Sequence, residues 1–168
     1  SVAKKASQPF VWIEELTENS RATILVEVQS IKVIRTKNGE NMAFMQVTDT
    51  KKKLDVTLFP EIYRRFAKQI QEKGYYYLTG KIQERDGRLQ MILAEAEEAS
   101  SERFWIQLAD ASHDKQIAEI LQRYPGNIPV VLRYENEKKT VPATGFRVQK
   151  TDQLQTELKI YSMKTVFR

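Results

Sequence analysis

Residues 54–97, LDVTLFPEIYRRFAKQIQEKGYYYLTGKIQERDGRLQMILAEAE, decide the fold. Leu54 to Phe59 reads as a short strand. Pro60 opens a helix, because its fixed φ and missing N–H suit the first helical turn. Ile62, Phe66 and Ile70 recur at i, i+4 and i+8, one face of that helix. Gly74 supplies the stop. Tyr75 to Glu84 is the next strand. Arg85-Asp86-Gly87-Arg88 reads as a tight hairpin with an Asp-Gly turn, and Leu89 to Glu97 as the strand that follows it.

Two more strands precede this segment. In residues 21–34, Ala22, Ile24, Val26 and Val28 alternate with Thr23, Leu25 and Glu27. Thr36 to Asn41 is a turn with an Asn-Gly signal, Met42 to Thr48 is the second strand, and Asp49 to Lys53 a short turn. The order is three strands, a helix, then a two-strand hairpin. SH3-like and other small barrels share the strand count. The helix between strands three and four favours the OB-fold, a partly open Greek-key barrel. Residues 1–20 form a lead-in. Lys4, Lys5, Ser7 and Pro9 suit no core, while Phe10, Val11, Trp12 and Ile13 can dock as an extended segment.

The character changes near Ser100. Arg103 to Leu108 reads as a strand. Ser112 or Asp114 caps a helix with Ile117, Ile120, Leu121 and Tyr124 on its apolar face, and Pro125-Gly126 ends it. Val130 to Tyr134 and Phe146 to Val148 read as strands around a charged turn at Glu135 to Lys139. Thr151 or Asp152 caps a last helix with Leu154, Leu158 and Tyr161, and Lys164 to Phe167 closes as a strand. This is β-α-β-β-α-β, a split α/β unit. The whole is mainly β plus α/β: a lead-in (1–20), a five-stranded OB-fold barrel (21–99) and a small split α/β domain (100–168).

Composition narrows the function. Of 168 residues, 41% are hydrophobic and 29% charged, which suits a folded, soluble chain. No apolar run approaches a membrane span, and no secretory signal opens the chain. Cysteine is absent, which excludes disulfides, thiolate nucleophiles and Cys-ligated zinc, and His113 is the single histidine. A cytoplasmic binding protein is expected. Ser1 in place of methionine is expected of a fragment or a processed product. The net charge is +5, but residues 21–85 alone hold 13 basic and 7 acidic side chains, whereas residues 86–100 hold 1 and 4. A basic central segment suits an anionic partner, nucleic acid first, and equally a solvated mixed surface.

Catalysis has little support. Ser20, Ser30 and Ser112 lack a glycine-rich elbow, His113 suits a helix start, and no phosphate-binding glycine loop occurs. Asp49 and Asp55 could meet across a turn, but without a third carboxylate they make a poor two-metal site. No catalytic residue, metal, cofactor or small-molecule substrate is expected. Binding is supported by placement. OB-folds grip oligonucleotides on strands 2 and 3, between the loops joining strands 1–2 and 4–5. Here the first loop carries Arg35, Lys37 and Asn38, and the second Arg85 and Arg88. Met42, Phe44 and Gln46 share one face of strand 2, and Ala43, Met45 and Val47 the other. If the smaller set fills the barrel, Phe44 is free to stack on a base, or else it packs beneath the lead-in or the second domain. Tyr75, Tyr76 and Tyr77 alternate, so at least one points outward. Lys51 to Lys53, in the turn between strands 2 and 3, are a solvated turn or a secondary phosphate contact. Arg64 and Arg65 belong to the helix surface.

Ile34-Arg35-Thr36-Lys37-Asn38-Gly39-Glu40-Asn41-Met42-Ala43-Phe44 resembles the Thr-Lys-x-Gly-x-x-Met-Ala-Phe stretch in the C-terminal OB-fold of bacterial replicative DNA polymerase III alpha subunits. Leu58-Phe59-Pro60-Glu61-Ile62-Tyr63, and then Gly80-Lys81-Ile82, Arg85-Asp86-Gly87 and Leu89-Gln90, are similar to that family's next segments in order and spacing. Tyr124 to Val130 and Phe146-Arg147-Val148 resemble its extreme C-terminal domain. The resemblance implies an OB-fold that binds single-stranded template, with Arg35, Lys37 and Asn38 in the loop usually credited. It implies a tail that in some members contacts the clamp-loader tau subunit. The acidic residues of DNA synthesis lie in a palm domain that has no counterpart in this sequence. Ser7-Gln8-Pro9-Phe10 is a poor match to the family's short sliding-clamp peptide, so clamp binding is not expected of it. Two alternatives stay open on the residues alone: an RNA-binding OB module such as a synthetase anticodon domain, and an OB groove filled by a protein segment.

Overall fold

The computed structural model describes residues 10–168, apart from the side chain of Thr144. The expectations on Lys4, Lys5, Ser7, Gln8 and Pro9 lie outside the described residues. The chain divides into two compact units, Phe10–Ala99 and Ser100–Arg168.

The first unit is a closed barrel in the order β1-β2-β3-β5-β4. β1 (Arg21–Arg35) is long enough to serve both halves. It pairs antiparallel with β4 (Tyr75–Arg85) over residues 21–27 and with β2 (Asn41–Thr48) over residues 27–35. Register shifts between Val28 and Ser30, so Gln29 is an extra residue opposite the pair Val47/Gln46. Before this bulge Ile24, Val26 and Val28 point inward with no exposed surface. After it the phase flips, and Ile31 packs on the core while Ser30 and Lys32 turn out. β2 continues into β3 (Lys53–Leu58), and β3 meets β5 (Arg88–Glu98) in parallel at Asp55–Thr57 to close the barrel. Ala43, Met45 and Val47 fill the interior, with Leu54, Val56, Leu78, Ile82 and Met91.

The helix α1 (Pro60–Phe66) sits between β3 and β4 but stops short of Gly74. The side chain of Tyr76 replaces further helix. Its hydroxyl accepts from Gln71 N (2.9 Å) and donates to Gln69 O (3.0 Å). Phe66 and Ile70 are still both buried in the barrel core, Ile70 from the turn beyond the helix. Tyr77 points away from the barrel interior, yet it is covered, because Phe10 lies edge-on to it at 5.9 Å. The rest of the lead-in docks as well. Val11 bridges to Ile24, a 3-10 helix spans Ile13–Glu15, and Trp12, Ile13 and Leu16 are buried.

Two residues hold this unit's shape at points of tension. Asp49, 6% exposed, accepts from Ile13 N (2.8 Å), Lys51 N (3.0 Å) and Lys52 N (2.9 Å). It ties the lead-in to the β2–β3 turn, where Thr50 takes a φ of 79°. Gly80 sits at a β4–β5 register shift, and a Cβ there would lie 2.1 Å from Ile92 O.

The second unit has a four-stranded sheet in the order β8-β7-β6-β9. Its elements are β6 (Phe104–Leu108), α2 (Asp114–Gln122), β7 (Pro125–Tyr134), β8 (Lys139–Val148), α3 (Asp152–Leu158) and β9 (Lys164–Phe167). β6 and β7 are parallel, the other pairs antiparallel. Phe104, Ile106, Leu108 and Val130 cluster with Ile117, Ile120 and Leu121 of α2 and Leu154 and Leu158 of α3.

Three details differ from the sequence expectation. Neither Ser112 nor Asp114 caps α2. His113 occupies the N-cap without a side-chain bond, Ser112 N donates to Asp110 Oδ1, and the Asp114 carboxylate accepts from the Tyr134 hydroxyl (2.8 Å). Burial, and then that bond, raise the Tyr134 phenol well above its ordinary pKa. β7 and β8 are longer than expected. Pro125-Gly126 does not merely end a helix but starts β7, close against Val148 and Gln149, where a Gly126 Cβ would be 2.5 Å from Gln149 N. Thr151 caps α3 as expected, accepting from Leu154 N (3.1 Å), while Tyr161 lies past the end of α3 and packs on the core from there.

Asp49→Ala removes the acceptor shared by three backbone N–H groups, of which that of Ile13 is buried. It should destabilise the chain by roughly 1.5–3 kcal/mol in urea unfolding. Gly80→Ala should destabilise by about 1–3 kcal/mol through overpacking. A Gly80→Ala midpoint equal to the parent's would show that the β4–β5 corner has room to spare.

Candidate nucleic-acid interface

The bulge in β1 and the alternation of β2 and β3 leave one outer face of the barrel open. A groove of about 620 Å³ runs across it. Register builds its floor. Ser30 lies opposite Gln46, Gln46 opposite Asp55, and Asp55 opposite Gln90. One step along, Lys32 lies opposite Phe44, and Phe44 opposite Thr57. Arg85, Asp86 and Arg88 stand at the rim, on the β4–β5 hairpin. Asp86 (φ 54°) and Gly87 (φ 77°) take the left-handed conformations of a two-residue hairpin turn, which keeps Arg85 and Arg88 paired in register.

Phe44 is 37% exposed, one of the few large apolar side chains left open, and it faces the groove. Thr57 is buried, its hydroxyl 3.5 Å from Gln90 Oε1. The floor therefore offers an aromatic ring flanked by amides and hydroxyls, and the rim offers cations. Among the described residues, Lys32, Arg85 and Arg88 make no ion pair. Three cations away from the groove are committed elsewhere. Arg64 pairs with Glu40 (2.6 Å), Arg65 with Glu95 (3.1 Å), and Lys51 with Glu14 (3.5 Å) while lying 4.6 Å over the Trp12 ring. Unpaired guanidinium and ammonium groups beside an exposed ring can meet phosphates and a base together.

The sequence-predicted residues divide. Phe44, Arg85 and Arg88 come together at the groove. Arg35 ends β1, and Lys37 and Asn38 are exposed in the β1–β2 turn. That turn is closed by Thr36 N to Glu40 O (2.7 Å) and Gly39 N to Thr36 O (2.9 Å). These three lie beyond the residues that line the groove. Lys51 to Lys53 are likewise outside the lining. Asp49 and Asp55 share no site, since Asp49 is engaged by backbone N–H groups and Asp55 lies on the groove floor. Among the described residues no cluster of His, Asp and Glu is arranged to hold a metal. His113 lies 5.2 Å from the Tyr161 ring, and Ser20 donates to Thr17 O.

The sequence expectation omitted Lys32. A signal for it exists. Ser30 and Lys32 occupy positions that the alternation of Ile24, Val26 and Val28 would bury, while Ile31 and Val33 occupy positions it would expose. A reversal of phase within one strand marks a bulge.

Residues 22–99 match the tRNA_anti-codon family, described as an OB-fold nucleic acid binding domain. Among solved structures, a domain of replication protein A from Methanococcus maripaludis aligns with a TM-score of 0.45 at 17% identity, covering 52% of this chain and 91% of that one. A replication protein A heterotrimer bound to single-stranded DNA aligns with a TM-score of 0.37 at 13% identity, over 59% and 75%. A DNA polymerase III subunit alpha from Streptococcus pyogenes is 44% identical over 99% of this chain, and one from Bacillus subtilis (strain 168) is 30% identical over 69%. The chain spans 16% of the length of the first of these and 11% of the second. With an OB-fold barrel in place and 44% identity over 99% of its residues, the chain matches one part of the bacterial DNA polymerase III alpha subunits.

Proposed function

We propose that the barrel groove holds single-stranded DNA and that its role is to keep template close to a polymerase. The observation that carries this reading is the set of unpaired cations, Lys32, Arg85 and Arg88, around the exposed ring of Phe44. Phosphates lie against the cations, and one base stacks on Phe44. Arg35, Lys37 and Asn38 extend the contact from the β1–β2 loop. Such a site has little sequence preference, because every base offers a stacking face. The chain contributes binding and raises the local concentration of template. Polymerase chemistry belongs to the remainder of a longer protein acting in the cytoplasm. The second unit, 100–168, serves replication partners, the clamp-loader tau subunit first, a reading supported by the resemblance of Tyr124 to Val130 and Phe146 to Val148.

Fluorescence anisotropy with labelled oligo-dT, a matched RNA and a matched duplex tests the groove. Oligo-dT should bind tightest, with log K falling against log salt at a slope of roughly −2 to −4, or about three to five single-strand phosphates. An RNA preference would favour an anticodon-type module. No binding at low salt would favour a groove filled by protein.

Two variant series locate the contact. Phe44→Ala should weaken oligo-dT binding by roughly 1–3 kcal/mol with an unchanged salt slope. Lys32→Ala should reduce the slope by about 0.7, the share of one phosphate. Arg35→Ala with Lys37→Ala should weaken binding more than Lys51→Ala with Lys52→Ala, and the reverse ranking would move the strand to the other end of β2 and β3.

A further inference from the structure

The helices of the second unit cover one face of its sheet. The opposite face holds a depression of about 430 Å³ lined by Trp105, Gln107, Arg133, Lys164 and Arg168, among others. Register sorts these side chains into rows. Gln107 lies between Arg133 and Lys164, and Trp105 lies between Val131 and Val166. The rows are two residues apart, about 6–7 Å along a strand. One is polar and cationic, the next apolar with an indole. That offset suits a nucleotide, whose phosphate stands about that far from its own base.

Arg133 is held in place. Arg133 Nε donates to Glu135 (3.0 Å), and its guanidinium also donates to Thr140 Oγ1 (3.2 Å). Arg168 lies 5.0 Å over the Trp105 ring, and its backbone is fixed by two bonds with Arg103 (2.8 and 2.9 Å). Among the described residues Lys164 makes no ion pair. Charge is also divided by layer. α2 and α3 carry Asp114, Glu119, Asp152 and Glu157 against Lys115, whereas the depression sets Arg133, Lys164 and Arg168 against Glu135. A duplex would keep its bases out of reach of the indole. An acidic peptide would meet the cations, but it offers Trp105 a ring only where it also carries an aromatic side chain.

We propose that this sheet face is a second contact for single-stranded DNA, in which the Arg168 guanidinium swings from the indole to a phosphate, beside Lys164, and a base takes its place on the Trp105 ring. It rests on the reading that this chain meets single-stranded DNA, but it uses none of the barrel's residues.

Trp105 reports on the site directly. In Trp12→Phe it is the remaining tryptophan of the 168-residue chain. Oligo-dT should quench its emission saturably. Lys164→Ala with Arg168→Ala should weaken the quench and lower its log–log salt slope by roughly 1.4, the share of two phosphates. Arg85→Ala with Arg88→Ala, in the barrel, should lower the anisotropy-detected affinity yet leave the Trp105 midpoint within about twofold. Should Trp12→Phe fail to fold, the difference in quench between the parent and Trp105→Phe gives the same readout. Absence of quench while anisotropy shows saturation would overturn the second contact and leave the barrel reading intact. A quench unmoved by the Lys164/Arg168 pair, or matched by a poly-glutamate peptide, would overturn it too. A Trp105 quench with no effect of any barrel variant would instead sink the barrel reading alone.

Discussion

One strand, β1, has to pair with β4 along its first half and with β2 along its second, and the extra residue at Gln29 makes that possible. Without the bulge, the alternation that buries Ile24, Val26 and Val28 would carry Ser30 and Lys32 into the barrel. A lysine there would be an unpaired buried charge. With it, Ile31 packs inward and Ser30 and Lys32 reach the groove. On the far side of the barrel β3 lies alongside β5, so that Asp55 and Gln90 are neighbours. The groove chemistry contributed by β1 is thus a result of one register shift.

Charge pairing separates structural cations from available ones. Arg64 and Arg65 bind carboxylates of β5 and the β1–β2 loop, and Lys51 is fixed by Glu14 and Trp12. Exposed ion pairs of this kind add little stability. Among the described residues Lys32, Arg85 and Arg88, which line the groove, make no such pair. The groove floor supplies directional groups rather than charge: Gln46, Thr57 and Gln90 can donate and accept without fixing a base identity. On the proposed reading, affinity would come from phosphates and tolerance from stacking, in a site that follows a strand rather than reads it.

Much of this was legible in the residues. Alternation placed the strands, Pro60 placed the helix, Asp86-Gly87 placed the hairpin, and the faces of β2 put Phe44 outward. What escaped has physical causes. The early end of α1 depends on the Tyr76 hydroxyl, a contact from the following strand that no local propensity encodes. The cap of α2 went to His113 because Tyr134, twenty residues on, takes Asp114. Tyr77 is covered by Phe10, which only tertiary packing brings to it. Lys32 was hidden by treating β1 as one unbroken alternation. The loop residues Arg35, Lys37 and Asn38 were placed by analogy with the fold, and they stand outside the residues lining the groove.

The most direct test of the groove is a backbone amide NMR titration of the 168-residue chain with oligo-dT. The account predicts progressive shifts at Ser30–Lys32, Phe44–Gln46, Asp55–Thr57 and Arg85–Gln90, with the β2–β3 turn at Lys51 and Lys52 unmoved. Shifts that spare those four segments while the oligonucleotide binds would contradict it.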